Sequence, residues 1–145
     1  MIAEGRVIGL DLGSRRIGVA VTDSQQTVAT PVVTIHRSGS RAEDHRAIAS
    51  VVAEYEAVGA VVGLPVSLSG AVGPAAQAVL AEVEELSAAL PVEVETVDER
   101  LTTVAATGSL QALGIDGRRR RHVIDQAAAS ELLQTWLDRR KAFSR

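Results

Sequence analysis

The feature that most constrains the fold of this chain is a carboxylate in the middle of an apolar strand. The strand predicted at residues 7–12 carries apolar residues or glycine on both faces, apart from Asp11. Such a pattern is typical of a central strand that is covered on both sides. An ionised carboxylate at this position is costly unless it is paired or holds a cation. Because Gly9 and Gly13 leave room beside the backbone, we expect Asp11 to serve a ligand, with a structural hydrogen bond as the alternative.

The order of predicted elements indicates an α/β fold with a five-stranded mixed sheet flanked by helices. Three closely spaced strands must be antiparallel, whereas the two later strands follow helices and can lie parallel to the first. Pro31 favours an edge position for the third strand. At 145 residues, we expect residues 1–145 to form one domain. The predicted strands are 7–12, 17–21, 27–35, 60–64 and 92–97, and the predicted helices are 43–55, 74–90, 101–114 and 122–140.

Composition limits the possible chemistry. The chain has no cysteine, so disulfides, thiolate catalysis and cysteine-based zinc sites are excluded. The histidines His36, His45 and His122 lack the spacing of metal ligands, and we expect them on the surface. No stretch resembles a signal peptide or a membrane span. We therefore expect a soluble cytoplasmic protein that does not contact membranes.

The net charge of −3 is unevenly distributed. Residues 41–99 carry two Arg against eleven acids, whereas residues 100–145 carry nine Lys or Arg against four acids. The basic end includes the run Arg118, Arg119, Arg120 and Arg121. This run lies in a segment, 114–121, that we predict to be a polar loop. It is a candidate contact for a nucleic-acid backbone, with a solvated loop as the alternative.

Three carboxylates from distant parts of the chain are predicted to meet at one edge of the sheet. Asp11 belongs to the first strand, and Asp98 and Glu99 directly follow the strand 92–97. Strand alternation places Asp98 and Glu99 on opposite sides, and we favour Glu99 as the inward-facing acid. Asp125 shares the buried face of the predicted helix 122–140, although an acid in a first helical turn can also serve as a cap.

Such a cluster would form an oxygen-lined site for Mg²⁺ or Mn²⁺, with Asp11, Glu99 and Asp125 as ligands. Neighbouring carboxylates repel one another unless a cation is present. Divalent cations at such sites serve phosphodiester hydrolysis. Arg16, in the turn after the first strand, could hold the scissile phosphate or only solvate the turn.

Four blocks of the sequence carry a family resemblance: GLDLGSRRIGVAVTD, GLPVSLSG, DERLTT and DQAAA. In this order, and over nearly the whole chain, they closely resemble the YqgF/RuvX family of the RNase H-like superfamily, which also contains the RuvC Holliday junction resolvases. The resemblance implies a bacterial cytoplasmic nuclease of ribosome biogenesis that trims the 5′ end of pre-16S ribosomal RNA, or one that resolves four-way DNA junctions. It assigns catalytic roles to Asp11, to Asp98 or Glu99, and to Asp125. Arg100 of the DER block and the basic run would bind the nucleic acid.

The RuvC relatives carry two acids three residues apart on the final helix, whereas here Ala128 follows Asp125 at that spacing. This departure argues against a preformed two-metal site and against resolvase activity by analogy. Two other functions compete. The opening DLGSRRIGVAV is also similar to the phosphate-binding hairpin of actin-like ATPases, but those folds need two such domains. The chain could also be a non-catalytic nucleic-acid-binding assembly factor, and as a nuclease it could act as a monomer or a homodimer.

Overall fold

The computed structural model describes residues 2–66, 70–98 and 117–143. Within these ranges the helices and strands start and end within two residues of the predicted positions, except in the last helix. The helix predicted at 101–114 lies outside the described residues, as do Glu99 and Arg100. The elements are β1 (Val7–Leu12), β2 (Arg16–Thr22), β3 (Ala29–His36), α1 (Arg41–Glu54), β4 (Gly59–Leu64), α2 (Pro74–Ala89), β5 (Glu93–Asp98) and α3 (Gly117–Phe143).

The five strands form one mixed sheet in the order β3-β2-β1-β4-β5, which confirms the predicted fold class. β1 is central, as predicted. It pairs antiparallel with β2 and parallel with β4, and β4 pairs parallel with β5. β3 is an edge strand, and Pro31 lies in it opposite Ala20, next to an irregularity in the pairing. An edge position tolerates proline because one side of the strand needs no ladder hydrogen bonds.

Each face of the sheet has its own apolar core. Ile8, Leu10 and Val62 face α1 and α2, and they pack with Ile48 and Leu86 of those helices. Among the described elements, α3 is the helix that covers the opposite face. The buried residues of this second core are Ile2, Val7, Ala20, Val61, Val97, Ala129, Leu132, Leu133, Trp136 and Leu137. The alternation along β1 therefore places Asp11 on the face that α3 covers.

Glycines in β1 and β2 allow α3 to lie unusually close to the sheet. A Cβ atom on Gly18 would be 1.9 Å from the carbonyl oxygen of Asp125, and one on Gly9 would be 2.9 Å from Cβ of Leu133. Neither contact is possible with a side chain on the strand, so only glycine fits. The space at Gly13 is taken by the carbonyl oxygen of Arg16, 2.6 Å from an added Cβ. Our interpretation that Gly9 and Gly13 admit a ligand is therefore wrong, since a helix and a turn fill these spaces.

The last helix begins at Gly117, five residues earlier than the sequence pattern predicts. Residues 117–121 of the predicted loop are thus helical. Arginine is a good helix former, and no proline or further glycine follows Gly117 to interrupt the turn. Asp125 consequently lies in the third turn of α3 rather than the first. It cannot act as an N-terminal cap, and the capping alternative is wrong.

None of the helices within the described ranges is long and apolar enough to cross a membrane.

The close approach of α3 predicts the effect of a single methyl group. Gly18→Ala should lower the free energy of unfolding by more than about 2 kcal/mol, because the added Cβ meets helix backbone that cannot rotate away. Gly73→Ala is the matched control, since a Cβ at Gly73 has nothing within 4 Å. Urea unfolding of both variants measures the difference. Equal small effects of the two substitutions would show that α3 does not pack this closely.

Candidate active site

Asp11 lies near the end of β1, opposite Gly18 of β2 and on the face covered by α3. Its side chain is half-buried. Burial, reinforced by the negative charge of Asp125, raises the pKa of Asp11 from 3.8 to about 6. Its carboxylate makes no hydrogen bond or ion pair with any other described residue. Within the described residues, therefore, no direct partner compensates the negative charge of ionised Asp11.

Asp125 reaches the same place from α3. Its main chain lies against Gly18, the cross-strand neighbour of Asp11. Its Oδ2 accepts a hydrogen bond of 2.6 Å from Nε of Arg16, the first residue of β2. The Arg16 and Asp125 side chains are 26% and 17% exposed, so this ion pair is only partly screened by water. The structure thus brings together three predicted site residues, Asp11, Asp125 and Arg16.

Asp98 does not share this face of the sheet. It is the last residue of β5 and pairs with Leu64. Val97, the residue before it, packs in the core beneath α3, so strand alternation directs Asp98 to the opposite face from Asp11. Within residues 2–66, 70–98 and 117–143, no three acids or histidines come together as a metal-binding group. The predicted third carboxylate, Glu99, lies outside those ranges, as does Arg100.

The basic run forms the beginning of α3. The four arginines 118–121 precede Asp125 by four to seven residues on the same helix. With a rise of about 1.5 Å per residue, they lie about 6–10 Å from it along the helix axis. They therefore lie on the same helix as Asp125, about one to two turns before it.

The sequence analysis missed a buried polar cluster on the other face of the sheet. Both terminal nitrogens of Arg37 donate to the carboxylate of Glu82, at 2.8 and 2.9 Å, and Nε donates to the carbonyl oxygen of Gly13 at 2.8 Å. His45 is buried, with Nε2 at 2.9 Å from Glu82, so our expectation of a surface position is wrong. Its spacing from Ile48 and Val52 on α1 could have placed it on the buried stripe.

Hydrogen bonds keep Glu82 and Arg37 of this cluster ionised. Burial by itself would raise the pKa of Glu82, but hydrogen bonds from Arg37 and His45 outweigh it and lower that pKa. The hydrogen bonds that Arg37 donates to Glu82 in turn raise the pKa of Arg37. The cluster joins α1 and α2 to the β1–β2 turn, and therefore holds the turn that separates Asp11 from Arg16.

A cavity of about 600 Å³ lies beside this cluster. Its wall includes Leu12, Gly13, Pro65 and Ala75, with Arg37 and Glu82 on one side. Leu12 points away from the α3 face, so the β1–β2 turn separates the cavity from the two acids. It is not part of the acidic site.

Comparison with known proteins first establishes the class of the fold. The RuvC protein of Thermus thermophilus in complex with a Holliday junction substrate matches over 94% of this chain and 96% of its own, with a TM-score of 0.55 and 16% identity. A second structure of Thermus thermophilus RuvC gives a TM-score of 0.55 at 15% identity. At such low identity the match concerns the fold alone, and it confirms an RNase H-like fold.

The family follows from sequence. The model of the family described as "RuvX: Holliday junction resolvase" matches residues 5–139. A Nocardia farcinica protein named "Putative pre-16S rRNA nuclease" is 48% identical, over 97% of this chain and 82% of that protein. A Rhodococcus erythropolis protein of the same name is 49% identical, over 94% of this chain and 79% of its own. The chain belongs to the RuvX family, as the sequence motifs predicted.

The raised pKa of Asp11 predicts how stability depends on pH. A carboxyl with a higher pKa in the folded state binds its proton more tightly there, so the stability it contributes is lost as the pH rises from about 4 through about 6. Without added metal, the wild-type protein should lose about 2 kcal/mol relative to Asp11→Asn between about pH 4 and pH 7. Urea unfolding of both proteins in EDTA measures this. A difference that stays constant with pH would contradict the desolvation of Asp11.

Proposed function

We propose that this protein is a metal-dependent nuclease that hydrolyses phosphodiester bonds. The observation that carries the proposal is the pairing of Asp11, an uncompensated and partly buried carboxylate, with Asp125 from a distant helix. Two carboxylates held together at this cost to stability suit a binding site for a divalent cation better than a structural role. Carboxylate oxygens are the ligands that Mg²⁺ and Mn²⁺ prefer, and we propose one of these ions as the cofactor.

Asp11 and Asp125 would hold the cation, with Glu99 as the third ligand. Asp98 does not fit this role, because strand alternation directs it to the opposite face of the sheet from Asp11. When bound, divalent cations at such a site activate a water for attack on phosphorus and stabilise the leaving oxygen. The role of the chain is to fix the position of the carboxylates. Two contacts serve that purpose. α3 packs against Gly18, and Arg37 donates a hydrogen bond to the carbonyl oxygen of Gly13 in the β1–β2 turn.

The arginines would bind the phosphates. Arg16 is within the site, and its guanidinium can donate to two phosphate oxygens at once. Arg100, Arg118, Arg119, Arg120 and Arg121 would extend this positive surface along the strand of nucleic acid. Contacts of this kind position a polyanion without reading its sequence, so we expect binding that weakens steeply with salt.

For the substrate, we propose a precursor of 16S ribosomal RNA that is cut at its 5′ end in the bacterial cytoplasm. The relatives that are nearly half identical over most of this chain are named "Putative pre-16S rRNA nuclease", which supports this RNA as the substrate. The alternative substrate is the four-way DNA junction, which the family description favours. A junction resolvase cuts two strands symmetrically and requires a two-fold dimer, whereas an RNA-trimming enzyme can act as a monomer. Native mass measurement distinguishes these two states.

Substitution of Asp11 tests the proposed chemistry. Asp11→Asn should reduce Mn²⁺-dependent cleavage by at least about 10³-fold, because one metal ligand is lost, while binding of the nucleic acid persists. Asp138→Asn is the control, because Asp138 is an exposed acid of α3, 13 residues along the helix from Asp125. Cleavage of a pre-16S RNA fragment and of a four-way junction is measured side by side. Salt-sensitive binding without cleavage of either would instead support a non-catalytic assembly factor.

A further inference from the structure

We propose that Arg16 is an internal cation that holds Asp125 in the metal-free protein and transfers to the substrate phosphate when a divalent ion binds. The inference rests on the proposed metal-dependent function. It begins from an asymmetry between the two acids. Asp125 has a guanidinium at 2.6 Å, whereas Asp11 has no partner among the described residues. One positive charge therefore offsets one of two negative charges, and the other remains to attract a cation.

Arg16 and a divalent ion compete for the same carboxylate. A guanidinium on Oδ2 and a dication on the other oxygen would lie only a few ångströms apart, and at that distance like charges repel strongly in a partly buried site. The ion pair is not sealed from solvent, since its side chains are 26% and 17% exposed, so a hydrated cation can reach the carboxylate. Binding of the ion should therefore release the Arg16 side chain from Asp125.

The released guanidinium has an evident new partner. Arg16 lies at the start of β2, two residues from the cross-strand neighbour of Asp11, and on the same face of the sheet. Its two terminal nitrogens make no hydrogen bond with the described residues, so they are available for phosphate oxygens even before release. A phosphate oxygen accepts a charge-assisted hydrogen bond from a guanidinium, as the carboxylate of Asp125 does. Metal loading would thus prepare the protein for its substrate.

The metal affinity of Arg16→Gln tests the exchange without relying on activity. Titration with Mn²⁺ in the absence of nucleic acid, followed by electron paramagnetic resonance, should show binding about tenfold tighter than in the wild-type protein, equivalent to about 1.4 kcal/mol. Arg15→Gln is the matched control, because Arg15 is the neighbouring exposed arginine. Its affinity should stay within about twofold of wild type, since water and salt screen the charge of an exposed side chain.

The outcomes separate this inference from the proposed function. If wild type and Arg16→Gln bind Mn²⁺ equally, or if Arg15→Gln gains as much as Arg16→Gln, the exchange is overturned while the metal site stands. If neither protein binds Mn²⁺, both the exchange and the metal-dependent reaction are overturned.

A second measurement uses the wild-type protein and so does not depend on the folding of a variant. The Nε–H of Arg16 should give a slowly exchanging NMR signal without metal, because Asp125 accepts its hydrogen bond. Saturating Mg²⁺ should accelerate exchange of this proton with water by at least about tenfold if the bond is broken. An unchanged exchange rate would mean that Arg16 stays on Asp125, and the proposed transfer would be wrong.

Discussion

The site depends on how closely a helix can approach a sheet. α3 lies against β2 at Gly18, where any side chain would collide with the backbone of Asp125. Gly9 allows the same contact further along the helix, at Leu133. Because packed backbone is hard to displace, the carboxylate of Asp125 is held beside that of Asp11 even though the two repel each other. The glycines therefore position the two acids that we propose as metal ligands.

The opposite face of the sheet supports this arrangement. Arg37 donates to the carbonyl oxygen of Gly13 and is itself fixed by the carboxylate of Glu82, while His45 bonds the same carboxylate. Such a buried network, with every member satisfied, is stiffer than isolated surface ion pairs. The short turn that separates Asp11 from Arg16 is consequently fixed by contacts with α1 and α2 on the face of the sheet opposite α3. Two independent sets of contacts thus converge on one pair of acids.

Much of this architecture is predictable from the sequence. The five strands, the edge position of β3 and the convergence of Asp11 with Asp125 follow from periodicity and from the order of the elements. The start of α3 cannot be predicted in this way, because a run of arginines is compatible with a loop or a helix until its packing is known. The role of Gly18 and the partnership of Arg37 with Glu82 depend on contacts between distant residues, which local patterns do not encode. The motifs located the site, but only the fold shows what holds it together.

The central claim is that Asp11 and Asp125 bind one divalent ion together. Crystals soaked in Mn²⁺ test it most directly, because the anomalous signal of manganese distinguishes the ion from water and from lighter cations. The account predicts a peak within about 2.5 Å of a carboxylate oxygen from each of the two residues. Well-ordered crystals without a peak at this site, or with a peak that contacts neither acid, would contradict the account.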